Sequence, residues 1–327
     1  MHEAPSNPGS EPRGDPAGIN QPRHTAPSPP ESVPSQNVHT IFVTPEGLRP
    51  GWRIFLYLGM GLILFLALSS FEYLIPLRGA GFLYQAMFIQ TVLVISSVLP
   101  ALVMGKIEKR QFCAYGLGLR RLPVRLLCAG LVWGIVALSV LVLLMRLVGV
   151  FSYGSLALHG VRILKFALFW GVFFFSVGIF EEFTFRGYTQ FTLSQAAGFW
   201  PAAYLLSLTF GGLHLLGNVG ETWLGSLCAA VIGLFFCFTL RRTGSLWFAV
   251  GMHASWDWGE SYLYSVPDSG GMITGHLMQP SVHGPAWLTG GSVGPEGSVL
   301  AFLVIGVAWM IFDRMHPAIV RAEQMGR

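Results

Sequence analysis

Six side chains in three short stretches can do chemistry in an otherwise apolar chain. Glu181, Glu182 and Arg186 lie in Ile179-Phe180-Glu181-Glu182-Phe183-Thr184-Phe185-Arg186-Gly187. His214 lies in Phe210-Gly211-Gly212-Leu213-His214-Leu215-Leu216-Gly217-Asn218. His253 and Asp257 lie in Gly251-Met252-His253-Ala254-Ser255-Trp256-Asp257-Trp258. An ionisable group at the centre of a membrane helix costs about 2.5–3.5 kcal/mol on insertion scales, so such groups are functional candidates by default. A glutamate can take a proton from a water that attacks a carbonyl, and a histidine can shuttle that proton or stabilise the oxyanion. Two histidines and a glutamate also form a catalytic zinc set with a fourth position for water, so Glu181, His214 and His253 are candidate ligands for Zn2+. A His-Glu-x-x-His spacing is absent, so a metal site would be assembled from separate helices. Hydrolysis, with or without a metal, is the chemistry these residue types suit.

The spacing assigns partners. Glu182 and Arg186 stand at i,i+4 and can pair on one helix face. Glu181 points about 100° away and is left free for other work. His253 and Asp257, also at i,i+4, share a face.

Eight apolar runs must position these groups: about 54–76, 82–104, 126–151, 163–182, 198–218, 222–240, 245–262 and 298–313. Most approach the roughly 20 residues needed to cross about 30 Å of hydrocarbon; the last two are shorter. Backbone groups in lipid must be satisfied internally, and β-barrel alternation is absent, so the expected fold is an all-α polytopic bundle. If the fourth run continues as helix to about residue 195 and the fifth begins near 198, Glu181 falls level with about residue 212, within a turn of His214. His253 lies roughly 16 Å from the turn near 242, and Glu181 roughly 22 Å from its own turn on the same side, so the three helices carry these groups to overlapping depths.

Composition points the same way. The chain is 53% hydrophobic and 11% charged, against about 25% charged residues in soluble domains. The net charge of +4 does not point to nucleic acid, because the basic residues sit between apolar runs. Of the 20 Lys and Arg, only Arg78, Arg162 and Lys165 fall on one side of the expected membrane, with Arg146 inside the third run. The bias places both termini in the cytoplasm of a multi-pass membrane protein, with the basic stretch 106–125 along the cytoplasmic surface. Residues 1–50 form an expected disordered Pro-rich tail, 51–104 are expected to hold two N-terminal transmembrane helices, and 316–327 a second tail. Residues 263–297 form an irregular Gly- and Pro-rich outer loop.

Other candidates read as structural. Gly290-Gly291-Ser292-Val293-Gly294 fits Gly-x-Ser-x-Gly, but lies in the outer loop rather than on a strand-to-helix turn. Cys113, Cys128, Cys228 and Cys237 fit no zinc or redox spacing and are expected to be buried or inert. Glu72 and Arg146 are expected at packing or interface positions. His276 and His283 are expected to be solvated, and Phe173, Phe174 and Phe175 to touch lipid or core. Trp256, Trp258 and Tyr262 are expected to form an interfacial aromatic belt.

In this order, Glu181-Glu182-x-x-x-Arg186, Phe210-x-x-x-His214 and His253-x-x-x-Asp257 resemble the three motifs of the CAAX protease and bacteriocin-processing (Abi) intramembrane endopeptidases. That family includes the type II CAAX prenyl endopeptidases. The resemblance covers about residues 105–315, including Tyr115-Gly116-Leu117 before the core. It implies a membrane endopeptidase acting on a peptide or lipidated-protein substrate. It also implies Glu181 as the base that activates water, Glu182 and Arg186 as its support, and His214 as its assistant. His253 and the fourth residue after it would stabilise the oxyanion. Both metallo and metal-free mechanisms are argued for the family. Many relatives carry Asn where this chain has Asp257. An ionised Asp cannot donate to an oxyanion; it can orient His253, ligate a metal or act protonated, and Asn218 is a substitute donor. A non-enzymatic immunity or scaffold protein of the same fold, and a proton-coupled transporter, are the alternative readings.

Overall fold

The structure, a computed structural model, describes residues 43–44, 47–71, 81–118 and 123–317. Most of the expected N-terminal tail, Glu72 and nearly all of the C-terminal tail lie outside these residues. The described residues all fall within one unit, Phe42–Arg327. Helices stand at all eight apolar runs: α1 (Pro50–Ser69), α2 (Phe82–Ile107), α3 (Val124–Leu147), α4 (Val161–Glu182), α6 (Phe199–Gly217), α7 (Trp223–Thr243), α8 (Trp247–Trp258) and α10 (Val299–Met315). Between α4 and α6 the chain continues helically through a π-helical segment, Phe183–Thr189, and α5 (Gln190–Ala197). A second π segment, Gly259–Leu263, extends α8, and the short α9 (Ala286–Thr289) lies in the loop before α10.

Six helical stretches among the described residues are long and apolar enough to cross a bilayer: α1, α2, α3, α4 through α5, α6 and α7. The protein is an integral, multi-pass helical membrane protein. Sheet is confined to two-residue pairs, β1 (Val43–Thr44) with β2 (Gly47–Leu48) and β3 (Phe151–Ser152) with β4 (Ser281–Val282). The third run was expected as helix to 151. The helix ends at Leu147, because Gly149 takes a positive φ and Phe151 pairs with Val282 of the 263–297 loop.

Local sequence explains several helix starts. Pro50 opens α1, where its missing N–H is not needed. The hydroxyls of Thr222 and Ser298 accept the backbone N–H of Gly225 and Leu300 at 3.1 Å each, capping α7 and α10.

Helix α8 is the short helix at the centre of the bundle. It packs most extensively on α3 and next on α4. The approach to α3 is backbone to backbone: a Cβ at Gly130 would lie 2.2 Å from the Phe248 carbonyl oxygen, and one at Gly251 would lie 2.5 Å from that of Leu127. Small residues at such crossings let membrane helices come together. Gly178 of α4 meets the other side of α8, at Val250 and Ala254. With these faces occupied, His253 and Asp257 are left to face the remaining interior. A helix surrounded by protein needs neither the length nor the uniform apolarity of a lipid-facing span, which is why α8 is short and carries polar residues.

This packing also corrects the expected aromatic belt. Trp256 and Tyr262 are buried. Trp256 Nε1 donates to Glu260 Oε2 (2.8 Å), Trp258 Nε1 to the Ala167 carbonyl (3.0 Å) and Tyr262 Oη to the Ile163 carbonyl (2.7 Å). Their polar atoms meet protein because α4 covers this end of α8. Phe174 is a core residue, and Arg146 is exposed in the last turn of α3. Cys228 and Cys237 are buried, whereas Cys113 and Cys128 are exposed, and all four are free thiols.

Candidate active site

A cavity of about 650 Å³ lies between α4, α6, α7 and α8. Glu181, His214, His253 and Asp257 line it, with Asn218 at its edge and apolar walls that include Phe174, Phe180, Phe210 and Phe236. The continuous helix through residue 197 and the turn at Gly198 bring α4 and α6 together as the spacing requires.

The adjacent glutamates face different surroundings. The Glu181 side chain is 23% exposed and the Glu182 side chain 0%. Glu182 Oε1 accepts from Arg186 Nη1 at 3.3 Å and from His253 Nδ1 at 2.8 Å. A carboxylate removed from water needs such a cation and donors. Behind it, the Arg186 guanidinium sits over the Phe210 ring at 4.3 Å. Glu181 turns into the cavity, with Oε2 at 3.6 Å from His253 Nε2.

His253 is held on several sides. Its Nδ1 is committed to Glu182, its ring stacks on Phe236 (5.9 Å, 19°), and its Nε2 lies 3.3 Å from Asp257 Oδ2. His214 is fixed differently. Its Nδ1 donates to the Phe210 carbonyl one turn earlier at 2.8 Å, which leaves Nε2 as an acceptor on a ring that borders the cavity. The structure therefore brings Glu181, His214, His253 and Asp257 around one space, with Glu182 and Arg186 behind His253.

This segment matches a known family. Residues 163–259 match the model of the Rce1-like family, type II CAAX prenyl endopeptidase Rce1-like. The match contains all three motifs of the sequence resemblance. Helices α1, α2, α3 and α10 lie outside the Rce1-like segment. No curated protein and no solved structure matches the chain.

The side chains of the Rce1-like segment do not fit a zinc ion as they are placed. Among the described residues, the carboxylate, imidazole and thiol groups whose ligand atoms all lie within 4.8 Å of one another are Glu260, Asp268 and Glu296; Glu181, His214 and His253 form no such set. Both ring nitrogens of His253 also face carboxylates.

Sequence reasoning missed the acidic groups beyond Asp257. Asp268 and Glu296, from the 263–297 loop, line the same cavity, and Glu260 is buried beside them. Glu296 Oε1 accepts from the backbone N–H of Ser269 at 2.6 Å and its hydroxyl at 2.9 Å, and Asp268 Oδ2 from the Ser261 hydroxyl at 3.1 Å. Burial pushes the Glu296 carboxyl up to about 7, and Asp268 well above the usual carboxylate range. No periodicity marks a loop residue that folds back into a cavity, so nothing local could have found them. Ser292, the formal Gly-x-Ser-x-Gly serine, is exposed and donates its hydroxyl to the Gly220 carbonyl at 2.7 Å. His276 Nδ1 donates to the Met278 carbonyl at 2.8 Å, and His283 is exposed.

Proposed function

We propose that the protein is an intramembrane endopeptidase that hydrolyses a peptide bond of a membrane-associated substrate with a water activated by Glu181. The observation that carries this reading is the division of labour between the two glutamates. One is sealed against Arg186 and His253, and the other opens into the cavity beside the same imidazole.

The proposed reaction begins with a water held between the Glu181 carboxylate and the Nε2 lone pair of His214. Glu181 takes its proton as the oxygen attacks the scissile carbonyl carbon. The oxyanion is stabilised by the Nε2–H of His253, whose ring orientation is fixed by Glu182 at the opposite nitrogen. Glu181 then returns the proton to the leaving amine, and the peptide bond breaks. Asp257 accepts from His253 Nε2 in the resting arrangement and orients the ring. Asn218, at the cavity edge, is the amide donor available for the oxyanion. The aromatic walls suit a substrate that brings an apolar or lipidated group, and the Rce1-like match directs attention to prenylated peptides ending in a CAAX sequence. In this reading both termini face the cytoplasm, residues 105–315 form the catalytic core, and α1 and α2 precede it.

The test is cleavage of a farnesylated CAAX peptide by the purified full-length chain. Wild type should cleave, while Glu181→Gln and His214→Ala should not, with all three proteins inserted and folded alike. Cleavage that survives both substitutions would overturn the proposal. Cleavage that disappears with a chelator and returns with Zn2+ would replace the metal-free scheme with a metal-dependent one.

A further inference from the structure

A second polar cluster joins Arg53 and Glu108, which lie outside the Rce1-like segment, to the helical stretch that follows Glu181. Glu108, just past the end of α2, is nearly buried. Arg53 of α1 grips it with Nε on Oε1 at 2.8 Å and with Nη2 on Oε2, while Nη1 of the same guanidinium reaches Gln195 Oε1 of α5 at 2.6 Å. The Tyr188 hydroxyl also donates to Glu108 Oε1. Tyr188 is 0% exposed and packs against Tyr57 at 4.5 Å and Tyr115 at 5.1 Å between ring centroids.

Tyr188 is seven residues after Glu181. Seven residues are almost two turns of a regular α-helix, which would place Tyr188 on the Glu181 face, toward the cavity. Instead Thr189 lines the cavity and Tyr188 meets Glu108. The displacement comes from the π-helical segment Phe183–Thr189, whose wider turn absorbs an extra residue. Within it Gly187 leaves the helical region, at φ −83° and ψ −108°, and a Cβ there would lie 2.6 Å from the Phe183 ring. A π segment is less favourable than α-helix and persists where something holds it. Here it lies immediately after the two glutamates and includes Arg186, the cation of Glu182.

We propose that Tyr188, Glu108 and Arg53 are positioning residues: a latch from the N-terminal helices holds the one-residue register shift in the segment that follows the two glutamates and carries Arg186, the cation of Glu182. Tyr188 donates to Glu108, Arg53 fixes the Glu108 carboxylate, and the segment so held keeps Arg186 against Glu182, whose Oε1 in turn holds His253 beside Glu181. The proposal rests on the endopeptidase reading for its catalytic consequence, but not for the latch itself.

Two measurements on the full-length chain test it. The first is hydrogen exchange at the amides of residues 186–190, which needs no activity. Tyr188→Phe removes one hydroxyl and should speed that exchange at least tenfold. Tyr115→Phe is the control, because its buried hydroxyl has no hydrogen-bond partner among the described residues, and it should change nothing. Equal exchange in wild type and Tyr188→Phe would overturn the latch. The second is cleavage of the farnesylated CAAX peptide. Misplacing catalytic groups by about 1 Å can cost on the order of a hundredfold, so Tyr188→Phe should lower kcat by roughly tenfold to a hundredfold with KM within about twofold. Arg53→Met should do the same, and the double variant should cost no more than the worse single one, because the two side chains act as a unit. Unchanged kcat, a change confined to KM, or additive losses would overturn the positioning role. Faster exchange in Tyr188→Phe with no cleavage by wild type would keep the latch and remove the endopeptidase reading.

Discussion

Two buried ion pairs, each tying helices together, differ in how completely they are satisfied. At Glu108 both carboxylate oxygens and all three Arg53 nitrogens have partners. At Glu182 one oxygen is used, and Glu182 Oε2, Arg186 Nε and Arg186 Nη2 have no hydrogen-bond partner among the described residues. Polar groups sealed from water normally find partners, because an unmade hydrogen bond there costs about 1–3 kcal/mol. The saturated pair has the character of a fastening. The unsaturated pair stands beside the cavity, and the Glu182 oxygen that is used holds both Arg186 and His253. The difference teaches that burial of charge does not by itself separate the two regions; the adjoining cavity and the incomplete pairing do.

Substitutions can break or sharpen this contrast. The largest effect belongs to Glu181→Gln, which touches neither pair. Removing a general base costs roughly a hundredfold to ten-thousandfold, so peptide cleavage should fall by that much while the unfolding midpoint stays put. Next is Arg186→Met, which strands a carboxylate with no exposure. Breaking a buried pair from one side costs about 3–5 kcal/mol, visible as a lowered denaturant midpoint. Arg53→Met should cost less, about 1.5–3 kcal/mol, because the Glu108 end is 9% exposed and retains Tyr188 and Arg110 nearby. If Arg53→Met proves the more damaging of the two in stability, the contrast fails.

The smallest effect is the pH dependence of the carboxylates of the 263–297 loop. Glu296 is raised from 4.5 to about 7, with burial as the main cause. A carboxyl raised in the folded state contributes stability that is fully present below its unfolded value and is lost as pH rises through the folded one. Thermal stability should therefore decline between about pH 4.5 and 7, and Glu296→Gln should flatten that decline. A wild-type profile that rises with pH over this window would contradict the assignment.

Much of the fold could be read along the chain. The helices at the eight runs, the continuation of helix past Glu182 and the pairing of Glu182 with Arg186 follow from hydropathy and i,i+4 spacing, which are local properties. The approach of Glu181, His214 and His253 was legible as shared depth, and the structure places them around one cavity. The aromatic residues of α8 were misjudged because the same Trp and Tyr pattern serves a lipid interface or a buried contact, and only the cover of α4 decides between them.

The sequence by itself determined that charge would be scarce, that the chain would be helical in lipid, and which side chains could do hydrolytic chemistry, because hydropathy and residue type carry that information one position at a time. The tertiary structure alone decided that His253 joins Arg186 on Glu182, that Asp268 and Glu296 reach the cavity from a distant loop, and that a π segment turns Tyr188 away toward Glu108. These depend on which helices are neighbours and on a one-residue change of helical register, and neither is written in the local pattern.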